Sequence, residues 1–121
     1  KLHEECIAVQ RKAASLLAAG NIPSEIYAEI LSSVSPELSE NFMGYKNRRV
    51  SFLGHGIGLV VNEWPVIARG FDSPLTENMV IALEPKAGVA GVGTVGVEDT
   101  YVVGRSGGEC VTGGGRSVLE I

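Results

Sequence analysis

Apolar residues recur at spacings of three and four through the first part of the chain. Leu2, Cys6, Val9, Ala13, Leu16 and Leu17 fall on one stripe, the pattern of a helix with a single buried face. Gly20-Asn21 marks its C-terminal end, where a left-handed residue closes a helix. Pro23-Ser24 opens a second helix with Ile26, Ile30 and Val34 as its buried face, and Ser35-Pro36 stops it. Residues 36–48 are polar, with Asn41, Gly44 and Asn47, and read as a loop or a weak helix. From residue 49 the period changes to that of strands. Val50 to Leu53 leads into Gly54-His55-Gly56-Ile57-Gly58-Leu59. Met79 to Lys86 is one β-rich run, Gly88 to Gly93 a turn, and Thr94 to Val103 another strand. Gly107-Gly108 and Gly113-Gly114-Gly115 punctuate the end. Helices followed by antiparallel strands predict an α+β layer, with two helices packed on one face of a sheet.

Composition narrows the function classes. A chain of 121 residues is one domain's worth, and 45% hydrophobic against 20% charged residues excludes a wholly disordered chain. Ten basic and fourteen acidic residues give a net charge of −4. No basic stripe is left to neutralise phosphates, so no nucleic-acid partner is expected. No apolar run approaches the roughly 18 residues that cross a bilayer, so no membrane partner is expected either. Two cysteines, Cys6 and Cys110, make no disulfide framework, and a reduced, cytoplasmic setting is the simpler reading. Glycine, 16 of 121 residues, stands near twice its usual share of about 7%. The chain starts at Lys1, already inside a helical pattern, as expected of a piece of a longer protein.

One glycine motif is a decoy. Gly91-Val92-Gly93-Thr94-Val95-Gly96 fits G-x-G-x-x-G, but that motif binds dinucleotides only where a helix follows and points its N-terminus at the pyrophosphate. Here Val97 to Val103 reads as strand, so a glycine-rich hairpin turn is the expectation.

His55, Glu84 and Glu98 form a more specific set. His55 is flanked by Gly54 and Gly56, which let backbone and ligand approach the ring. Glu84 interrupts the apolar strand Met79-Val80-Ile81-Ala82-Leu83, where alternation places it with Val80 and Ala82. Glu98 interrupts the next strand. Carboxylates in apolar strands are costly unless paired or metal-bound, and a hairpin would aim both at one place. Imidazole plus carboxylates suits a borderline or hard divalent ion such as Mn, Fe, Co or Zn. The same residues also fit an acid/base carboxylate pair, or carboxylates that merely pair with Arg48, Arg49, Arg69 or Arg105.

The wording around these residues resembles a known family. Gly54-His55-Gly56-Ile57-Gly58-Leu59, Asn62-Glu63-Trp64-Pro65, Met79-Val80-Ile81-Ala82-Leu83-Glu84-Pro85 and Val97-Glu98-Asp99-Thr100 occur in order. Together they are similar to the second half of the catalytic domain of the M24 metallopeptidases, the pita-bread fold of methionine aminopeptidase, Xaa-Pro aminopeptidase, Xaa-Pro dipeptidase and creatinase. Glu98-Asp99-Thr100 and Pro23-Ser24-Glu25-Ile26-Tyr27 lean towards the Xaa-Pro group.

The resemblance implies half of a pita-bread domain: residues 1–121 as one unit, the C-terminal portion of a catalytic domain without its N-terminal half. It implies His55, Glu84 and Glu98 as metal ligands, with Glu84 also shuttling a proton and Glu98 bridging two divalent ions. It implies hydrolysis of a small peptide with proline in the second position, by a water that the metals acidify.

Three departures temper this. Two aspartate ligands of the family have no counterpart here, Asn62 stands in place of a histidine and is left as a substrate contact, and Gly96 replaces an arginine. The expectation is therefore a metallopeptidase parent and an isolated chain that is inactive and holds few or no metal ions. A non-catalytic M24-like module that binds peptides or proteins is the alternative. A half domain with a bare sheet edge is also expected to self-associate, as a two-fold dimer.

Overall fold

The computed structural model describes residues 1–113 and Val118. Gly114 and Gly115 of the terminal glycine run lie outside the described residues.

Helix α1 (Leu2–Ser15) buries Cys6, Val9, Ala13 and Ala14, the stripe expected from the spacing. It also buries Gln10, whose amide Nε2 donates to the Leu83 carbonyl at 3.2 Å. The helix stops short of Gly20. Leu16 and Leu17 donate to Ala13 and Ala14 in a tightened last turn. The chain then leaves the helix because distant carbonyls compete for its N–H groups: Ala19 donates to Gly104 and Gly20 to Leu75, each at 2.8 Å. Gly20 itself has φ +94, the left-handed conformation its position suggested. Helix α2 (Pro23–Ser33) follows and buries Ile26, Tyr27 and Ile30. The segment left as loop or weak helix contains a short helix, α3 (Pro36–Glu40), with the Ser35 hydroxyl accepting from the Leu38 amide at its N-cap, and one 3₁₀ turn at Lys46–Arg48.

Seven strands follow: β1 (Phe52–Gly56), β2 (Glu63–Ala68), β3 (Val80–Leu83), β4 (Lys86–Val89), β5 (Gly93–Gly96), β6 (Asp99–Val103) and β7 (Gly108–Cys110). Five form an antiparallel sheet in the order β2-β1-β3-β6-β7, and β4-β5 form a separate two-stranded sheet. Two expectations need correction here. Met79 to Lys86 is not one strand, and neither is Thr94 to Val103. Each breaks midway, at Glu84-Pro85 and at Val97-Glu98. Pro85 has no N–H to offer a ladder, and its carbonyl instead accepts from Val97 at 3.2 Å. The turn between them is also shorter than expected, because β4 runs on through Val89. Gly91-to-Gly96 leads from turn to strand and not to a helix, so the nucleotide motif is indeed a decoy.

Helices α1 and α2 pack on one face of the five-stranded sheet. Leu53, Ile67, Ile81, Leu83, Tyr101 and Val103 join Leu17, Ile30 and Leu38 in that core. The opposite face carries the row His55, Ala82 and Thr100, which are direct partners across β1, β3 and β6. A register shift in β1 lies between Phe52 and Gly54. The extra residue drops Leu53 into the core and leaves Phe52 edge-on to His55, with ring centroids 6.2 Å apart. Gly54 has no room for a side chain: a Cβ there would lie 2.2 Å from the Ala82 carbonyl oxygen. Close approach of β1 to β3 therefore requires glycine immediately before His55. In edge strand β2, the Trp64–Pro65 peptide is cis.

Burial beneath the sheet pushes the Cys6 thiol up to about 11, from 9.0, and the nearby Glu5 carboxylate adds to the shift. As pH rises, the unfolded thiol ionises first, so the folded state holds the extra proton. This stabilisation is fully present below pH 9.0 and is lost as the pH approaches about 11. Urea unfolding of the native chain is expected to weaken across that window by about 2 kcal/mol more than unfolding of Cys6→Ser. Equal pH slopes for the two proteins would contradict it.

Candidate metal centre

His55 sits in the middle of the sheet, 7% exposed. Its Nδ1 lies 3.0 Å from the Gly56 carbonyl oxygen. A carbonyl only accepts, so that bond places the ring proton on Nδ1 and leaves the Nε2 lone pair free in the neutral ring. Nε2 faces Glu84 Oε1 at 3.6 Å. Two acceptors this close need a proton or a cation between them. A divalent ion, if bound, could accept a lone pair from each of them. Glu84 reaches this position because its amide is tied to the Leu53 carbonyl at 3.0 Å, just where β3 ends.

The other oxygen of Glu84 is already engaged. Lys86 Nζ donates to Oε2 at 2.5 Å. Glu98 lies beyond this pair. It is exposed, at the bend between β5 and β6, and lines a concavity of about 260 Å³ together with Glu84 and Lys86. Asn62 is exposed in the β1–β2 loop and shares a second concavity, of about 330 Å³, with His55, Phe52 and Trp64. The predicted residues thus fall in two neighbouring hollows that meet at the His55–Glu84 contact. Among the described residues, no group of three His, Cys, Asp or Glu side chains is close enough to hold a metal ion.

The donor chemistry is therefore that of a partial site. His55 and Glu84 fit two bonds to one divalent ion, and the described residues do not by themselves complete a two-metal centre. Neither aspartate repairs it. Asp99 is paired with Leu83 on the other row and accepts from the Thr112 hydroxyl at 2.9 Å, while Asp72 accepts from the Ser24 hydroxyl. The arginines considered as partners for the site carboxylates do not serve that role for Glu84. Arg105 pairs with Glu77 at 3.2 Å, Arg49 bonds the Glu40 carbonyl, and the cation on Glu84 is Lys86. Sequence reading passed over Lys86, although its place two residues after Glu84 was the available signal. Phe52 was missed because the extra residue in β1 shifts its face.

This is the sheet and helix pair of one half of a pita-bread metallopeptidase domain. The chain belongs to metallopeptidase family M24, whose model matches residues 1–105, and the family implies a divalent metal. It is 30% identical over 119 residues to an Xaa-Pro dipeptidase of Pyrococcus furiosus, covering 98% of this chain and 32% of that protein. Its structure is similar to that of an X-Pro aminopeptidase from Thermotoga maritima, with a TM-score of 0.82 at 30% identity over 96% of this chain and 31% of the other. It is likewise similar to a prolidase from Pyrococcus horikoshii, with a TM-score of 0.81 at 28% identity over 98% of this chain and 32% of the other. The chain spans about a third of the length of these relatives. Among the described residues, no helix is long and apolar enough to cross a membrane.

The half-buried Glu84 carboxylate depends on Lys86 for its counter-charge. Lys86→Met is expected to cost about 1 kcal/mol of stability in urea unfolding, and Lys86→Arg to recover most of it. No loss in the Met variant would mean that Lys86 contributes nothing to holding Glu84.

Proposed function

We propose that the protein to which this chain belongs is a metal-dependent exopeptidase of the Xaa-Pro dipeptidase/aminopeptidase class. The observation that carries this reading is the His55 Nε2 to Glu84 Oε1 approach of 3.6 Å, made by a ring whose Nδ1 faces the Gly56 carbonyl oxygen at 3.0 Å. In this reading His55, Glu84 and Glu98 are metal ligands, and the remaining ligands come from outside residues 1–121. The ion, when bound, supplies Lewis acidity toward a carbonyl oxygen and a water acidified to near neutrality. His55 holds its ligand nitrogen in place through the Gly56 carbonyl. Glu84 accepts a proton on a carboxylate oxygen and returns it to the leaving amine. Asn62, at the mouth beside Trp64, offers an amide to the backbone of a short peptide with proline in its second position. Mn, Co, Fe and Zn all suit the imidazole–carboxylate set. Two free cysteines agree with a reduced, cytoplasmic setting.

The 121-residue chain alone is expected to be inactive, since its ligand set is partial. Incubated with Mn or Co, it should release no proline from an Xaa-Pro dipeptide. A form long enough to supply the other ligands should purify with divalent metal and lose it on His55→Ala. Hydrolysis by the short chain, or a metal-free longer form, would overturn this reading. The second outcome would favour a peptide- or protein-binding module of the same fold, a reading that Lys86 supports by already neutralising one oxygen of Glu84.

Self-association is part of the proposal. Among the described residues the five-stranded sheet ends at β2 on one side and β7 on the other, and Leu59, Val60, Val61 and Trp64 are exposed. Unpaired edges and apolar patches favour pairing with a second copy. Sedimentation should show an average mass that rises with concentration, whereas a monomer at every concentration would exclude the dimer.

A further inference from the structure

Gln10 places an amide in an otherwise apolar stripe. Its buried neighbours on helix α1 are Cys6, Val9, Ala13 and Ala14, and it is itself 0% exposed. Burying an amide costs free energy unless its polar atoms are bonded, and an apolar side chain of similar size, such as Met, would carry no such cost. Among the described residues no buried side-chain nitrogen or oxygen lacks a hydrogen-bond partner. The metallopeptidase reading gives Gln10 no task.

The bond it makes falls on one particular peptide. Its Nε2 donates to the Leu83 carbonyl at 3.2 Å. That carbonyl and the Glu84 N–H belong to the same planar unit. The N–H in turn donates to the Leu53 carbonyl of β1 at 3.0 Å. One peptide plane is thus gripped at both ends, from the neighbouring strand and from the helix beneath the sheet. The next peptide, between Glu84 and Pro85, has no N–H to tie down. The direction in which the Glu84 side chain leaves the backbone is therefore set by the gripped plane.

The same helix reaches across the break between the sheets. One turn before Gln10, and on the same face, Cys6 Sγ lies 3.9 Å from the Val95 carbonyl oxygen of β5. Val95 belongs to the two-stranded sheet and Leu83 to the five-stranded one. Helix α1 therefore holds one sheet on each side of the bend that carries Glu84 and Glu98.

We propose that Gln10 is a positioning residue for Glu84. Its amide fixes the Leu83–Glu84 peptide from beneath the sheet, and this keeps Glu84 Oε1 against His55 Nε2 on the opposite face, 3.6 Å away. That Glu84 is placed for a metal ion rests on the metallopeptidase reading, whereas the clamp itself rests on the packing alone.

Hydrogen exchange of the metal-free 121-residue chain tests the clamp. In the unaltered chain the Gln10 side-chain amide protons are expected to exchange at least about tenfold more slowly than those of the exposed Asn62. Gln10→Met keeps the volume and removes the donor. In that variant the Glu84 backbone amide should speed up at least about tenfold more than the Val103 amide, which donates to the Met79 carbonyl elsewhere in the sheet. Ile30→Val, which loosens the core at another place, should change both amides by the same factor. In a longer form that binds divalent metal, Gln10→Met should weaken that binding about tenfold or more in competition with a chelator, and Ile30→Val should leave it unchanged. The proposal is overturned by fast exchange of the Gln10 amide, by equal change at Glu84 and Val103 in Gln10→Met, or by unaltered metal affinity of that variant. A longer form that holds no metal defeats the peptidase reading, and the exchange rates still decide the clamp.

Discussion

The site depends on one break in a long hairpin. Residues 80–103 run out and back as paired strands, and both arms interrupt at the same level, at Glu84-Pro85 on one side and Val97-Glu98 on the other. A proline removes the donor that would continue the ladder. The hairpin therefore leaves the five-stranded sheet and starts a separate two-stranded one. Polar side chains would be expensive within either sheet, but at the junction they are accommodated. Glu84 gains a lysine and faces a histidine, and Glu98 reaches solvent. The carboxylates mark the bend, and the bend gives them one shared location.

The helices and the core face were legible because they are local properties. The stripe from Cys6 to Leu17 and the Ile26–Ile30 face need only a period of 3.6 residues. The early end of α1 was not legible, because the carbonyls that draw the chain out of the helix belong to Leu75 and Gly104, far away in sequence. The strand breaks were hidden for a related reason. Apolar content is continuous on both sides of Glu84 and Val97, and nothing nearby says that the partner strand breaks as well. The α+β layer survived these errors, since it depends on element order and on which face is apolar.

At the site, alternation correctly grouped Glu84 with Val80 and Ala82, and cross-strand pairing then adds His55 through Ala82. Residue types and their order carried the family likeness. Geometry that depends on a one-residue irregularity was out of reach. The register shift at Leu53 decides that an aromatic ring, and not an aliphatic chain, stands beside the imidazole. The hollow lined by Lys46, Arg48 and Lys86 was also invisible, because its cations come from two segments some forty residues apart, which meet through the Met43–Lys86 and Gly88–Asn41 hydrogen bonds.

The pairing of β1 with β3 has a thermodynamic side. His55 and Glu84 are separated by a loop, an edge strand and a further connection, and they become neighbours only once the central strands have zipped together. A partly folded chain offers an isolated imidazole and an isolated carboxylate, neither with much hold on an ion. Any cation captured between them draws on the free energy of closing the whole sheet, so occupancy and global folding are linked equilibria, and the bound ion raises the unfolding midpoint by mass action.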